Sequence, residues 1–195
     1  MAILKRRCAW PRLTVSPWAA LAGGLFVYLT DGDLLRALAL PVAVHELGHV
    51  AALRLLGCRI RELRLELGGF CLIYDASPGR GAEALAAAAG PLAGFLYALA
   101  VVRLGADGAL SAGISLLLSL VNLIPSPPLD GGRIAAALLS KKAAAVLAAF
   151  SAAALTAAGS WAFCRGYGAG LALTGVLLLC RLPVDQFSNS AMLPD

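Results

Sequence analysis

Hydrophobic residues in this chain fall into long runs, and polar residues gather in the gaps between them. The runs cover residues 13–30, 34–56, 82–102, 109–124, 143–164 and 168–182. Roughly 20 helical residues cross a bilayer core of about 30 Å, so the pattern predicts about six transmembrane helices. Between the second and third runs the period changes. Leu63, Leu65 and Leu67 alternate with Glu62, Arg64 and Glu66, the two-residue repeat of a strand. Gly68 and Gly69 supply a turn, and FCLIYD returns as a second strand. The expected fold is an all-α polytopic membrane protein with a small β-hairpin or sheet inserted between the second and third helices. Gly90-Pro91 predicts a kink in the third helix, because proline removes a helical hydrogen bond. PSPPLDGGR breaks the chain after the fourth run, and IAAALLSKK reads as a short amphipathic segment.

Composition supports the bilayer reading. Of 195 residues, 60% are hydrophobic and 14% charged, with a mean hydropathy of +0.82. A soluble domain of this size needs more polar surface. The expectation is a single integral membrane domain over residues 1–195, with its core at 34–140 and the last two spans at 143–182. Neither an inserted PDZ domain nor a trailing CBS domain is expected. The basic head MAILKRRCAWPR precedes a run too long for a secretory signal and lacking an A-x-A exit site, so a retained first span is expected.

The net charge of +5 does not imply nucleic acid, because the basic residues punctuate apolar runs instead of forming a stripe. Arg36, Arg103 and Arg165 fall on one side of the expected spans, and the rest of the 16 lysines and arginines on the other. The positive-inside rule then places both termini, the hairpin and the Pro-Gly loop in the cytoplasm, as in a bacterial cell membrane. Five cysteines, without a C-x-x-C pair, read as free thiols.

One apolar run holds three ionisable groups, in VHELGHV. Four helical residues advance the chain by about 6 Å and 400°, so His45 and His49 project from one face, one turn apart. That is the bite for one zinc ion, and Glu46, displaced by about 100°, can reach its water without being a ligand. Zinc brings water toward a pKa of about 7, and a carboxylate can take the proton as a carbonyl carbon is attacked. These are the protein's two histidines, at a depth where an unpaired charge is expensive. A third ligand is needed. Asp130 in NLIPSPPLDGG is the acid placed to provide it: prolines keep that segment from being helical, and glycines let it turn tightly. The plainer alternative is an aspartate that caps the next helix.

HELGH in an apolar helix, followed after a later run by NLIPSPPLDGG, resembles the site-2 protease family of intramembrane zinc metalloproteases. AAAAGPLAG at the start of the third run, and the glycine pair after the first strand, also resemble that family. The likeness covers residues 34–140. It implies one Zn2+ per chain held by His45, His49 and Asp130, with Glu46 as catalytic base. It also implies that Asn122 positions substrate or stabilises the oxyanion. The implied reaction is hydrolysis of a peptide bond in or near a transmembrane segment of a membrane-tethered protein, on the cytoplasmic side, as in regulated intramembrane proteolysis. Implied partners are that substrate, for example a transcription-factor precursor, the lipid bilayer, and an inhibitory membrane protein or a second copy. Gly94 stands where the family often has asparagine, so a polar contact is expected to be missing there. The small size resembles the bacterial branch that includes the sporulation protease acting on a tethered pro-sigma factor.

Hydrolysis requires a substrate helix to unwind, and its freed backbone groups need partners that lipid cannot provide. Residues 61–67 and their return strand are expected to offer a sheet edge for it. Two other classes stay open. A catalytically silent zinc-binding scaffold would keep every motif. A proton-coupled transporter would show inverted repeats and dispersed ionisable groups, and the sequence has neither.

Overall fold

The structure is a computed structural model that describes residues 12–66, 69–74, 79–180 and 182. The basic head through Pro11, Leu67 and Gly68 of the expected turn, residues 75–78, Arg181 and the tail from residue 183 lie outside those residues.

Ser16 and Pro17 set the first boundary. Proline disfavours helical conformation in the residue before it, and Ser16 is extended with ψ 146°. Pro17 opens helix α1 (Pro17–Leu29), where its missing N–H costs nothing. The Ala19 N–H donates to Ser16 Oγ at 3.2 Å and caps the turn. The first apolar run therefore splits. Arg12–Val15 becomes strand β1, and 13 residues are left for the helix.

The remaining elements are α2 (Gly32–Leu55), β2 (Ile60–Glu66), β3 (Gly69–Tyr74), α3 (Arg80–Val101), α4 (Ala106–Asn122), α5 (Asp130–Leu138), α6 (Lys141–Cys164) and α7 (Gly170–Cys180). A mainly helical chain with a small sheet after its second helix is as the periodicities predict. Helices α2, α3 and α6 are long and apolar enough to cross a membrane, whereas α1, the apolar part of α4 and α7 are shorter. The six expected spans are thus present as helices, three of them at spanning length. Both Pro41 and Pro91 lie inside uninterrupted helices.

The sheet corrects the expected edge. Its order is β1-β2-β3. β1 runs parallel to β2, Arg12 opposite Glu62 and Val15 opposite Leu65. β3 is antiparallel, Phe70 opposite Leu65 and Tyr74 opposite Ile60. The Ser16 N–H also donates to the Leu65 carbonyl at 2.9 Å. The Thr14 hydroxyl and the Arg64 guanidinium hold the Glu62 carboxyl below its ordinary range. Strand β2 is central, so proline at Leu65 would break the sheet itself. Among the described residues, the outer edges belong to β1 and β3.

Burial is inverted relative to a soluble protein. Large apolar side chains such as Leu47, Leu92, Leu96, Leu117, Val146 and Phe150 are exposed, whereas the interior is built of Ala86, Ala87, Ala98, Ala112, Ser115 and Ser119. Lipid is as apolar as leucine, so helices in a membrane associate through small residues and interhelical hydrogen bonds. Ser115 donates to the Gly94 carbonyl at 2.9 Å, and Ser111 shares a 2.8 Å hydrogen bond with Tyr97. α3 lies at the centre, packed on α2, α4 and α5, while α6 packs chiefly on α7. The cysteines among the described residues are free.

Candidate metal centre

The buried positions of α2 are Ala37, Pro41, His45, His49 and Leu53, every fourth residue. Both imidazoles therefore lie on the stripe that α2 presents to α3 and α4, and the HELGH spacing follows the packing seam. His45 is 3% exposed, His49 4% and Asp130 7%, which rules out ordinary hydration as their partner.

α3 approaches this stripe without side chains in between. A Cβ on Gly48 would lie 2.6 Å from the Ala89 carbonyl oxygen, and one on Gly90 would lie 2.1 Å from His49 Nε2. Gly90 thus makes room for the imidazole. His49 Nδ1 donates to the Ala86 carbonyl at 2.8 Å. A carbonyl only accepts, so the hydrogen sits on Nδ1 and Nε2 carries the lone pair. His45 Nδ1 has no hydrogen-bond partner among the described residues.

Asp130 arrives from the far end of the chain. It is the first residue of α5, after the N-cap residue Leu129, and its carboxylate is spent on the two histidines, against the plain capping explanation. Its neighbours correct the expected role of the glycines. Gly131 and Gly132 are helical and absent from the positive-φ positions. They are needed for close approach: a Cβ on Gly131 would lie 2.1 Å from the Leu123 carbonyl oxygen, and one on Gly132 2.6 Å from Pro127 N. The proline-rich loop folds against the start of α5, and this delivers Asp130 to the histidines.

Asp130 Oδ2 lies 3.1 Å from His45 Nε2 and 3.1 Å from His49 Nε2, and the two nitrogens are 3.2 Å apart. Tetrahedral zinc with bonds of about 2.0–2.1 Å separates its ligands by about 3.3 Å. The donor set, its spacing and the His49 tautomer fit a zinc ion, and among the described residues this is the cluster able to hold a metal. Glu46 is half-buried on the turn between the imidazoles and is not one of the clustered donors. Asn122, the last residue of α4, is half-buried and donates from Nδ2 to the Leu118 carbonyl at 3.0 Å.

At Gly94 the structure explains the departure from asparagine. A Cβ there would lie 2.2 Å from Ser119 Oγ. Hydroxyls of α4 occupy the space, so the polar group at this point comes from Ser115 and Ser119. Three further residues escaped sequence reasoning: Arg133, Glu83 and Tyr74. Arg133 Nη2 donates to Glu83 Oε1 at 2.7 Å and to the Tyr74 oxygen at 3.1 Å, and the Tyr74 hydroxyl donates to Glu83 at 2.6 Å. Burial and the Glu83 carboxylate push the Tyr74 phenol above its ordinary value, keeping it a neutral donor. A single sequence carries no signal for pairing a strand end, a helix start and an arginine 50 residues further on.

Two histidines and an aspartate at zinc-ligand spacing, with a glutamate beside them in a bundle of apolar helices, make a buried candidate metal site. The sequence matches the Peptidase M50B-like family over residues 18–127, more than half of the chain, and Peptidase family M50 over residues 108–162. The chain belongs to the M50B-like peptidase family. It is 34% identical over 112 residues to a zinc metalloprotease of Methanocaldococcus jannaschii, covering 52% of this chain and 32% of that protein. The chain thus spans about a third of that relative's length. The fold is also that of a site-2 protease from Methanocaldococcus jannaschii, with a TM-score of 0.59, 23% identity, and coverage of 94% of this chain and 92% of the other.

Proposed function

We propose that this chain is a zinc-dependent intramembrane protease that hydrolyses a peptide bond near the cytoplasmic end of a substrate's transmembrane segment. The observation that carries the reading is the convergence of His45, His49 and Asp130, buried, with Glu46 adjacent. When bound, zinc supplies Lewis acidity to the scissile carbonyl and to a water. Glu46 takes a proton from the attacking water as its oxygen bonds to the carbonyl carbon. The same carboxylate returns a proton to the departing amine as the C–N bond breaks. Asn122 is the polar group beside the loop proposed to steady the substrate backbone. The membrane crossing of all six apolar helices, with cytoplasmic termini, belongs to this proposal and rests on the arginine and lysine distribution. A C-terminal tag that reacts only from outside the cell would overturn the topology.

The test of activity is incubation of the purified chain in detergent with single-span reporters whose cytoplasmic ends carry helix-breaking residues. A cut product that vanishes when the purified chain is stripped by a chelator, and returns with zinc, is the expected result. Cleavage that survives metal removal would sink the proposal. A tethered transcription-factor precursor is the natural substrate class, because cleavage at this depth frees a cytosolic fragment.

Unwound substrate needs a strand partner, and β3 is the better placed edge. Its last residue, Tyr74, hydrogen-bonds Arg133, whose Nη1 lies 3.7 Å from Asp130 Oδ1. β3 also carries the exposed, free Cys71. With the other cysteines replaced, a substrate bearing one cysteine near its cut site should cross-link to Cys71 under mild oxidation. Cross-linking only to a cysteine introduced at Thr14 would place the substrate on β1 instead.

A further inference from the structure

Asp130 has two oxygens, and they face different groups. Oδ2 meets both imidazoles, while Oδ1 faces Arg133 Nη1 at 3.7 Å, an ion-pair distance too long for a hydrogen bond. The two residues are three apart on α5, on one face of the helix. Arg133 is held from behind: its other terminal nitrogen donates to Glu83 on α3 and to Tyr74 at the end of β3. Three elements of the fold therefore converge on one guanidinium. Side-chain exposures of 32% for Arg133 and 22% for Glu83 place this pair largely inside, where an unneutralised charge is expensive.

The arrangement answers a chemical problem. A carboxylate can bind a metal through either oxygen or both, and rotation about its last bond exchanges them. A fixed cation on one oxygen breaks that symmetry. A bare cation so near the site would also oppose a bound dication, and the Glu83 carboxylate neutralises it. The fork shape matters too: one guanidinium nitrogen serves the carboxylate and phenol behind while the other faces Asp130, a division an ammonium cannot reproduce.

We propose that Arg133, clamped by Glu83 and Tyr74, is a positioning residue that holds Asp130 Oδ1 and thereby presents Oδ2 as a single donor to zinc. The inference rests on the zinc-centre reading above. A competing structural role, in which Arg133 merely bridges α3 and α5, makes a different forecast for a neutral bridge.

The experiment uses the full chain in detergent, with zinc affinity measured by competition against a chromophoric chelator and the melting temperature of the metal-free protein followed in parallel. Arg133→Gln should bind zinc about 10–100-fold more weakly than wild type, the usual effect of removing an outer partner of a metal ligand. Glu83→Gln/Arg133→Gln replaces the ion pair by two hydrogen-bonding amides, so neither charge is left stranded. It should melt like wild type without metal and still show the weakened zinc affinity. Arg133→Lys should fall between wild type and the glutamine variant. Wild-type zinc affinity in the double variant would show that Arg133 only bridges helices, and would overturn the proposal even if the single variant fails to fold. A wild-type chain that binds no zinc would remove the metal-centre reading itself, and the inference with it.

Discussion

Glu46→Gln is expected to slow peptide-bond cleavage by about 10²–10⁴-fold, the range typical of losing a general base, while zinc remains bound at full stoichiometry. Glutamine keeps the length and shape of the side chain on α2 but cannot accept and return a proton. The three proposed ligands are untouched, because Glu46 lies on the turn between His45 and His49 and outside the donor triangle. Two measurements on the same preparation decide the matter: metal content and the rate of reporter cleavage. A variant that keeps its zinc and its full biological function, with no cleavage detected in either protein, would instead mark a binding scaffold. Loss of zinc along with activity would mean that Glu46 is a ligand.

Gly90→Ala carries the second large effect. Its Cβ would stand 2.1 Å from His49 Nε2 and 2.5 Å from Cε1, far inside van der Waals contact. The imidazole cannot swing aside cheaply, because its Nδ1 is tethered to the Ala86 carbonyl, one turn before Gly90 on α3. Either His49 leaves the donor triangle or α3 backs away from α2. A displacement on the order of 1 Å at a reacting centre costs about 10²-fold in rate, and zinc affinity should fall in parallel. Gly113→Ala is the control: it lies in α4 with no atom within 4 Å of the added methyl, and should leave zinc binding and cleavage unchanged. Equal behaviour of the two variants would contradict the close approach of α3 to His49.

The donor cluster was legible because helical spacing is a local property. His45 and His49 share a face whatever surrounds them, and an acid in a proline-broken segment at the same depth had few other uses. The hairpin could likewise be read from its alternation. The partner of β2 on its other side could not, since β1 sits inside a run whose hydrophobicity reads as helix; only Pro17 marks the break. The glycines of LDGG were read as turn formers, yet they are helical and serve tight packing against Leu123 and Pro127. Hydropathy located all six apolar segments but overstated the helix in the first, because strand pairing and the Ser16 cap take residues from the start of that run.

By itself, the order of residues determined where the chain turns helical, which face of α2 carries nitrogen donors, and that its helices are apolar enough to suit a membrane. These follow from periodicity and transfer energetics acting over a few neighbouring residues. Only the tertiary structure decided that Asp130 reaches His45 across 85 positions, that Gly90 clears space for His49, and that Arg133 stands behind the carboxylate. Such meetings depend on how closely small-residue faces of α2, α3 and α5 can approach, and that distance is a property of the packed helices together.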